Sequence, residues 1–139
     1  MRALGFVFLA AVACGLGCNS APPPPPLPPL VPVRGTVLYQ GKPLEGIVVA
    51  FNPLFDMGTV KFAPGAKTGA DGTFTLVSGR DGAPVGEYAV TFTYPVLTDP
   101  GDAGSEVDRW RGKYSDPKRS KFKVTIKDGP NELAPFKLD

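Results

Sequence analysis

Polar and apolar residues alternate one by one along much of the chain, and this period of two sets the expected fold. Tyr88, Val90, Phe92 and Tyr94 alternate with Glu87, Ala89, Thr91 and Thr93. Phe122, Val124 and Ile126 alternate with Lys121, Lys123, Thr125 and Lys127. Successive side chains of a strand point to opposite faces, so each run predicts a strand with one buried and one wetted face. Residues 33–39, 47–52, 73–78 and 133–138 are further expected strands, and 59–62 and 66–68 weaker ones. Helical periodicity is nearly absent, because glycine or proline interrupts almost every window.

Turn chemistry separates these runs. Gln40-Gly41-Lys42-Pro43 fits a reversal between the first two strands, and Lys127-Asp128-Gly129-Pro130-Asn131 links the last two. Asp71-Gly72, within Ala70-Asp71-Gly72-Thr73, predicts a tight hairpin. The expected fold is all-β: a single antiparallel, Greek-key-like sandwich of about seven strands. Residues 95–120 are too many for a simple hairpin and predict an excursion of irregular or briefly helical structure.

The first residues change the picture from fold to place. Arg2 precedes an apolar run, Ala3 to Ala13, which leads into Cys14-Gly-Leu-Gly-Cys18. A charged start, an apolar stretch too short to span a bilayer and a small-residue exit predict a secretory signal peptide. Gly17-Cys18 makes it resemble a bacterial lipoprotein signal, in which the cysteine becomes the acylated first residue. Cys18 is the expected lipidation site, preceded by Gly15-Leu16-Gly17, and Cys14, preceded by Ala11-Val12-Ala13, is the alternative. The acyl chain would make a membrane the first partner, anchoring the protein without spanning it. No cysteine follows residue 18, and no later stretch is long and apolar enough for a transmembrane helix. An extracytoplasmic domain without disulfides must be held by its core.

Residues 22–32 are mostly proline. Proline fixes φ and lacks a backbone donor, so polyproline II is expected, extended at about 3.1 Å per residue. Residues 19–32 would then hold the domain roughly 40 Å from the lipid. The organisation read from the sequence is a signal over residues 1–17, a lipidated cysteine and spacer over 18–32, and a sandwich over 33–139. Removing Arg2 with the signal leaves 14 basic (15 less one) against 13 acidic side chains. So small an excess argues against a nucleic-acid partner.

Read in order, several short motifs resemble a carboxypeptidase regulatory-like domain, with a transthyretin-like or prealbumin-like sandwich. They are Val33-Arg-Gly-Thr-Val37, Gly41-Lys-Pro-Leu-Glu-Gly46, Val48-Val-Ala-Phe51, Thr68-Gly-Ala-Asp-Gly-Thr-Phe74 and Pro84-Val-Gly-Glu-Tyr-Ala-Val90. Lys113-Tyr-Ser-Asp-Pro117, Val124 and Gly129-Pro-Asn131 resemble the tail of the version found as small bacterial lipoproteins. The resemblance implies a non-catalytic structural or binding module at the cell envelope. Gly35 is expected at a bulge or close backbone approach, Gly72 at a positive φ, and Phe51, Phe74, Tyr88, Val90 and Phe92 between the sheets.

Candidate chemistry is sparse. The chain has no histidine, which removes Ser-His-Asp and Cys-His catalysis and the common histidine metal sites. A transthyretin-like enzyme acting on hydroxyisourate depends on histidines and a C-terminal Tyr-Arg-Gly-Ser, whereas this chain has Phe136-Lys-Leu-Asp139. No enzyme activity, cofactor or metal is expected. Asp99, Asp102, Glu106 and Asp108 offer oxygen atoms, but their spacing does not match a calcium loop and reads as a solvated turn. Arg109, Trp110, Arg111, Lys113 and Tyr114 set aromatic faces beside cations, a pattern able to stack sugars or grip an acidic polysaccharide. The competing expectation is that Trp110 and Tyr114 pin the excursion onto the sandwich while the charges stay in water. Lys118, Arg119, Lys121, Lys123 and Lys127 follow, as guards of a sheet edge or as a weak anionic patch. A cell-envelope protein or polysaccharide is the expected partner beyond the membrane.

Overall fold

Where the period-two pattern is unbroken the chain is extended, and among the described residues there is no helix. The computed structural model describes residues 22, 29–58, 62–76, 82–102 and 104–139. Cys14, Cys18, the signal segment, most of the proline run and most of the weak strand expected at 59–62 lie outside them. Five strands form the first part: β1 (Leu30–Val31), β2 (Val33–Tyr39), β3 (Lys42–Pro43), β4 (Val48–Pro53) and β5 (Gly65–Lys67). Then come β6 (Thr73–Thr75), β7 (Ala83–Pro84), β8 (Gly86–Thr93), β9 (Pro95–Leu97) and β10 (Glu106–Asp108). The last are β11 (Phe122–Ile126), β12 (Asn131–Glu132) and β13 (Phe136–Leu138).

Two sheets form a sandwich-like body. One has the antiparallel order β11-β8-β4-β5; the other is centred on β2, with β12 and β13 along one edge and β6 and β3 along the other. The second sheet departs from the antiparallel expectation, since β12 and β13 run parallel to β2. The cause is the loop 127–131, which crosses from one sheet to the other rather than folding back. The Asn131 amide donates to the Lys127 and Gly129 carbonyls, both at 2.8 Å, and its oxygen accepts from the Lys127 N–H at 3.0 Å. Pro135, with no N–H to offer, falls in the break between β12 and β13.

Local turn readings hold better than pairing readings. At Gln40 and Gly41 the φ values are +51° and +77°, two consecutive positive angles that close a tight two-residue hairpin. Its return strand is only β3, after which the chain leaves for the other sheet. Asp71-Gly72 makes its tight turn with Gly72 at φ +72°. It is a corner rather than a hairpin, since β5 and β6 belong to different sheets. Thr68 ties this corner to the 44–47 loop. Its hydroxyl donates to the Leu44 carbonyl at 2.6 Å and accepts from the Ile47 N–H at 2.9 Å.

Val33, Val37, Ile47, Val49, Phe51, Phe74, Leu76, Tyr88, Val90, Phe92, Ile126, Phe136 and Leu138 fill the interior. Phe51 lies within this interior, with ring centroids 5.9 Å from Tyr88, 6.1 Å from Phe74 and 6.5 Å from Phe136. Gly35 is a close approach, as expected: a Cβ there would come within 2.5 Å of the Phe74 ring, which occupies the missing side chain's place. Gly86 does the same for Phe55, whose ring would lie 2.3 Å from an added Cβ. Strand β8 corrects the expectation of a wetted face. Ala89 and Thr91 are buried as well, because short side chains in a central strand sink between their neighbours. The Asn52 amide closes over them, donating to the Ala89 carbonyl at 3.1 Å and the Thr91 hydroxyl at 3.0 Å.

Leu30 and Val31, which the proline count assigns to the spacer, are paired with Pro84 and Ala83. Val31 is buried, and the Pro32 carbonyl accepts from the Asn131 N–H at 2.9 Å.

Candidate functional site

The excursion over residues 95–120 contains a small hairpin, β9 with β10, followed by a run of turns with no helix. Its organiser is Asp108. One carboxylate oxygen accepts from the N–H groups of Tyr94 at 2.9 Å and Trp110 at 3.1 Å, and the other from Gly112 at 2.8 Å. Partial burial alone would raise its pKa, but the three backbone donors outweigh that and hold the carboxyl below the ordinary carboxylate value. Arg111 takes φ +52° and Gly112 φ +80° to turn the chain around this carboxylate.

That turn brings four aromatics together. The Trp110 ring lies 5.4 Å from Tyr39, 5.6 Å from Tyr94 and 5.2 Å from Tyr114, the last edge-on. Trp110 is half-buried and packs on the core, so the indole serves first to fasten the excursion to the sandwich. Arg109 and Arg111 are exposed, and the Arg109 guanidinium stands 5.6 Å from the Tyr94 ring centroid. The five residues expected to form one binding segment therefore divide. Trp110 turns inward, the two arginines flank it, and Lys113 and Tyr114 face a different feature.

That feature is a cleft of about 490 Å³ between the turns at 113–120, the start of β11 and β13. Its walls include Lys113, Tyr114, Arg119, Lys121, Phe122 and Lys137, with Asp116 and Asp139. It opens where two edge strands meet, since β11 borders one sheet and β13 the other. The rings of Phe122 and Phe136 span that gap at 5.8 Å. Tyr114 is fixed by three contacts: its carbonyl accepts from the Phe92 N–H at 3.0 Å, its hydroxyl donates to the Asp139 carbonyl, and the Asp139 N–H donates to that hydroxyl at 3.1 Å. The Lys113 ammonium lies 4.9 Å from the Tyr114 ring centroid and donates to the Asp139 carbonyl at 2.7 Å. Its pKa is raised, chiefly by its side-chain hydrogen bond with Tyr114.

The basic set separates in the same way. Arg119 and Lys121 line the cleft, whereas Lys118, Lys123 and Lys127 do not. Lys121 and Lys123 alternate on the wetted face at the edge strand, as an edge guard requires. Sequence reasoning missed Lys137, which is isolated between Phe136 and Leu138 and joins the others only through the parallel pairing of β13. The acidic run over residues 99–108 does not converge. Asp99 accepts from Gly101 and Asp102 from Gly104, each at 2.9 Å, and Asp108 is committed to the excursion. Among the described residues no group of three or more histidine, cysteine or acidic side chains is placed to hold a metal ion. A second, more apolar hollow of about 520 Å³ is lined, among the described residues, by Pro53, Phe55, Met57, Phe62 and Ala63, with the charged Asp56. No protein-family model matches the chain, and no curated protein is significantly similar to it.

Proposed function

We propose that the protein is a non-catalytic, extracytoplasmic module of the cell envelope, anchored to a bacterial membrane by an acyl chain on Cys18, with Cys14 the alternative. The observation that carries this reading is the order of parts. A short charged-then-apolar signal ends on Gly17-Cys18, a proline run follows, and a sandwich-like head comes last. The finer fold in this reading is the Greek-key-like sandwich of the carboxypeptidase regulatory-like, transthyretin-like kind. In its support, the residues that carry the resemblance hold turns and close packing: Gly35 under Phe74, Thr68 over the 44–47 loop, and Asn131 across the sheet crossing. The head is taken to begin near Leu30, which leaves residues 19–29 as the stalk, roughly 34 Å if extended.

A non-catalytic role is supported by how the perturbed ionisable groups are used. Asp71 caps its turn through Thr73, Asp108 gathers three backbone donors, and Tyr88 donates from the core to the Pro84 carbonyl at 2.7 Å. These three serve the backbone, whereas a further perturbed group, Lys113, lines the cleft. Mass spectrometry of the mature N-terminus tests the anchor. The expected result is a chain beginning at Cys18 and carrying diacylglycerol, and an unmodified chain starting after residue 21 would refute it. A second reading, binding of a carbohydrate or anion by the Arg109–Tyr114 region, is favoured by one observation: Lys113 and Tyr114 open onto a cleft rich in cations.

A further inference from the structure

We infer that the cleft between β11 and β13 binds a carboxylate-bearing polysaccharide of the uronic-acid type, using Lys113, Arg119, Lys121 and Lys137 around the partly exposed rings of Tyr114 and Phe122. The inference rests on the second reading above and moves its site from the indole of Trp110 to the sandwich edge.

Three features separate this cleft from an ordinary edge guarded by lysine. First, its cations come from three parts of the chain: the excursion turns, the entry to β11, and β13 of the opposite sheet. Edge protection needs lysines along a strand, and has no use for cations on two facing edges with a recess between them. Second, one cation is held in place. The ring of Tyr114 and the carbonyl of Asp139 fix Lys113 before any ligand arrives, so less side-chain freedom is lost on binding. Third, Phe122 is only partly buried although its ring packs edge-on to Phe92 at 5.3 Å, which leaves an apolar surface in the recess.

The ligand class follows from that combination. Aromatic surface in a recess suits the apolar face of a pyranose ring, and four cations against two carboxylates suit a repeating negative charge. A bilayer surface is flat and would meet the rim rather than the aromatic floor. A nucleic acid would call for a larger cationic excess than a chain of net charge +2 provides.

The test uses the full chain in neutral detergent, titrated with polygalacturonate, dextran, poly-L-glutamate and glycerophosphoglycerol. Polygalacturonate is expected to bind, weakening as salt rises, with dextran silent and poly-L-glutamate and the lipid headgroup markedly weaker. Lys121→Ala with Lys137→Ala should weaken polygalacturonate by about tenfold at unchanged melting temperature, as expected for two exposed charges lost from one surface. Arg109→Ala with Arg111→Ala should leave it unchanged. If the arginine pair abolishes binding and the lysine pair does not, the Arg109–Tyr114 reading stands and the cleft fails. Equal binding of poly-L-glutamate, or tighter binding of the headgroup, would also overturn the inference. So would no binding of any polymer, which would remove the second reading too and leave the anchored module intact.

Discussion

The sandwich interior and the 95–120 excursion are held by different forces. Between the sheets, large apolar side chains surround Phe51, and the buried hydroxyl of Tyr88 is satisfied by the Pro84 carbonyl. In the excursion a single carboxylate collects three backbone donors, and four half-buried aromatics lean on one another above the core. Apolar burial is non-directional and grows with area, so the interior tolerates no large loss. Hydrogen bonds at the surface are individually modest, so the excursion is the part able to loosen while the sandwich stays folded.

The most severe way to break this contrast is Phe51→Ala. Truncating a fully buried ring packed against three others should lower the unfolding free energy by about 3–5 kcal/mol. Urea unfolding followed by far-ultraviolet dichroism and by Trp110 fluorescence should show both signals shifting together. A loss below about 1 kcal/mol would mean that the interior is not what holds the molecule.

Tyr88→Phe probes a polar tie in that interior and should cost about 1–3 kcal/mol, since the Pro84 carbonyl loses its partner. It also carries a pH signature. Burial pushes the Tyr88 hydroxyl up from 10.0 to about 12. The folded state therefore favours the neutral form, and this contribution is complete below pH 10 and lost as pH rises towards about 12. Melting temperatures measured through that window should fall more steeply for the wild type than for the variant. Parallel curves would remove Tyr88 as the cause.

Much of the interior could be read from the sequence because its signal is local and periodic. Val33 and Val37 mark β2 correctly, and Phe122, Val124 and Ile126 mark β11. What escaped was partnership. Asp71-Gly72 specifies a tight turn but not which sheet receives the next strand, and a loop such as 127–131 looks the same whether it returns or crosses. Thr91 looked wet because threonine is polar, yet its short side chain in a central strand is covered by Asn52. The excursion was less legible still. Asp108 sits in an acidic run, where nothing but its distance to Gly112 hints at a turn built around it. Lys137 gives no signal at all until β13 lies beside β2.

Asp108→Asn sharpens the contrast from the other side. The amide keeps one acceptor and turns an NH₂ group toward a backbone donor, so the excursion should loosen with little change in sandwich stability. Hydrogen exchange should quicken at the amides of Tyr94, Trp110 and Gly112, and Trp110 emission should move to the red. The native carboxyl is held below its ordinary value of 3.8, so its contribution is present above that value and fades as pH falls through the lowered one. The wild type should show an acid transition in Trp110 emission that the variant lacks. A global stability loss as large as that of Phe51→Ala would erase the distinction between the two regions.

The smallest expected effect is also the most discriminating for the cleft. Arg119 and Asp116 form an ion pair at 3.1 Å, with side chains 78% and 40% exposed. Such a pair is screened by water and salt, so Arg119→Ala should change unfolding free energy by less than about 0.5 kcal/mol. If the excursion's charges served the fold, this variant would be one of the places to see it. If they serve a ligand, the same change leaves the melting curve alone and weakens polygalacturonate. Removing Arg119 also frees the Asp116 carboxylate at the cleft wall, adding repulsion to the lost attraction. Asp116→Asn, which keeps an acceptor for the Lys118 N–H now held at 2.9 Å, should then act in the opposite direction on binding while remaining equally silent in stability. That opposition of sign is what a purely architectural arrangement of these two residues would not produce.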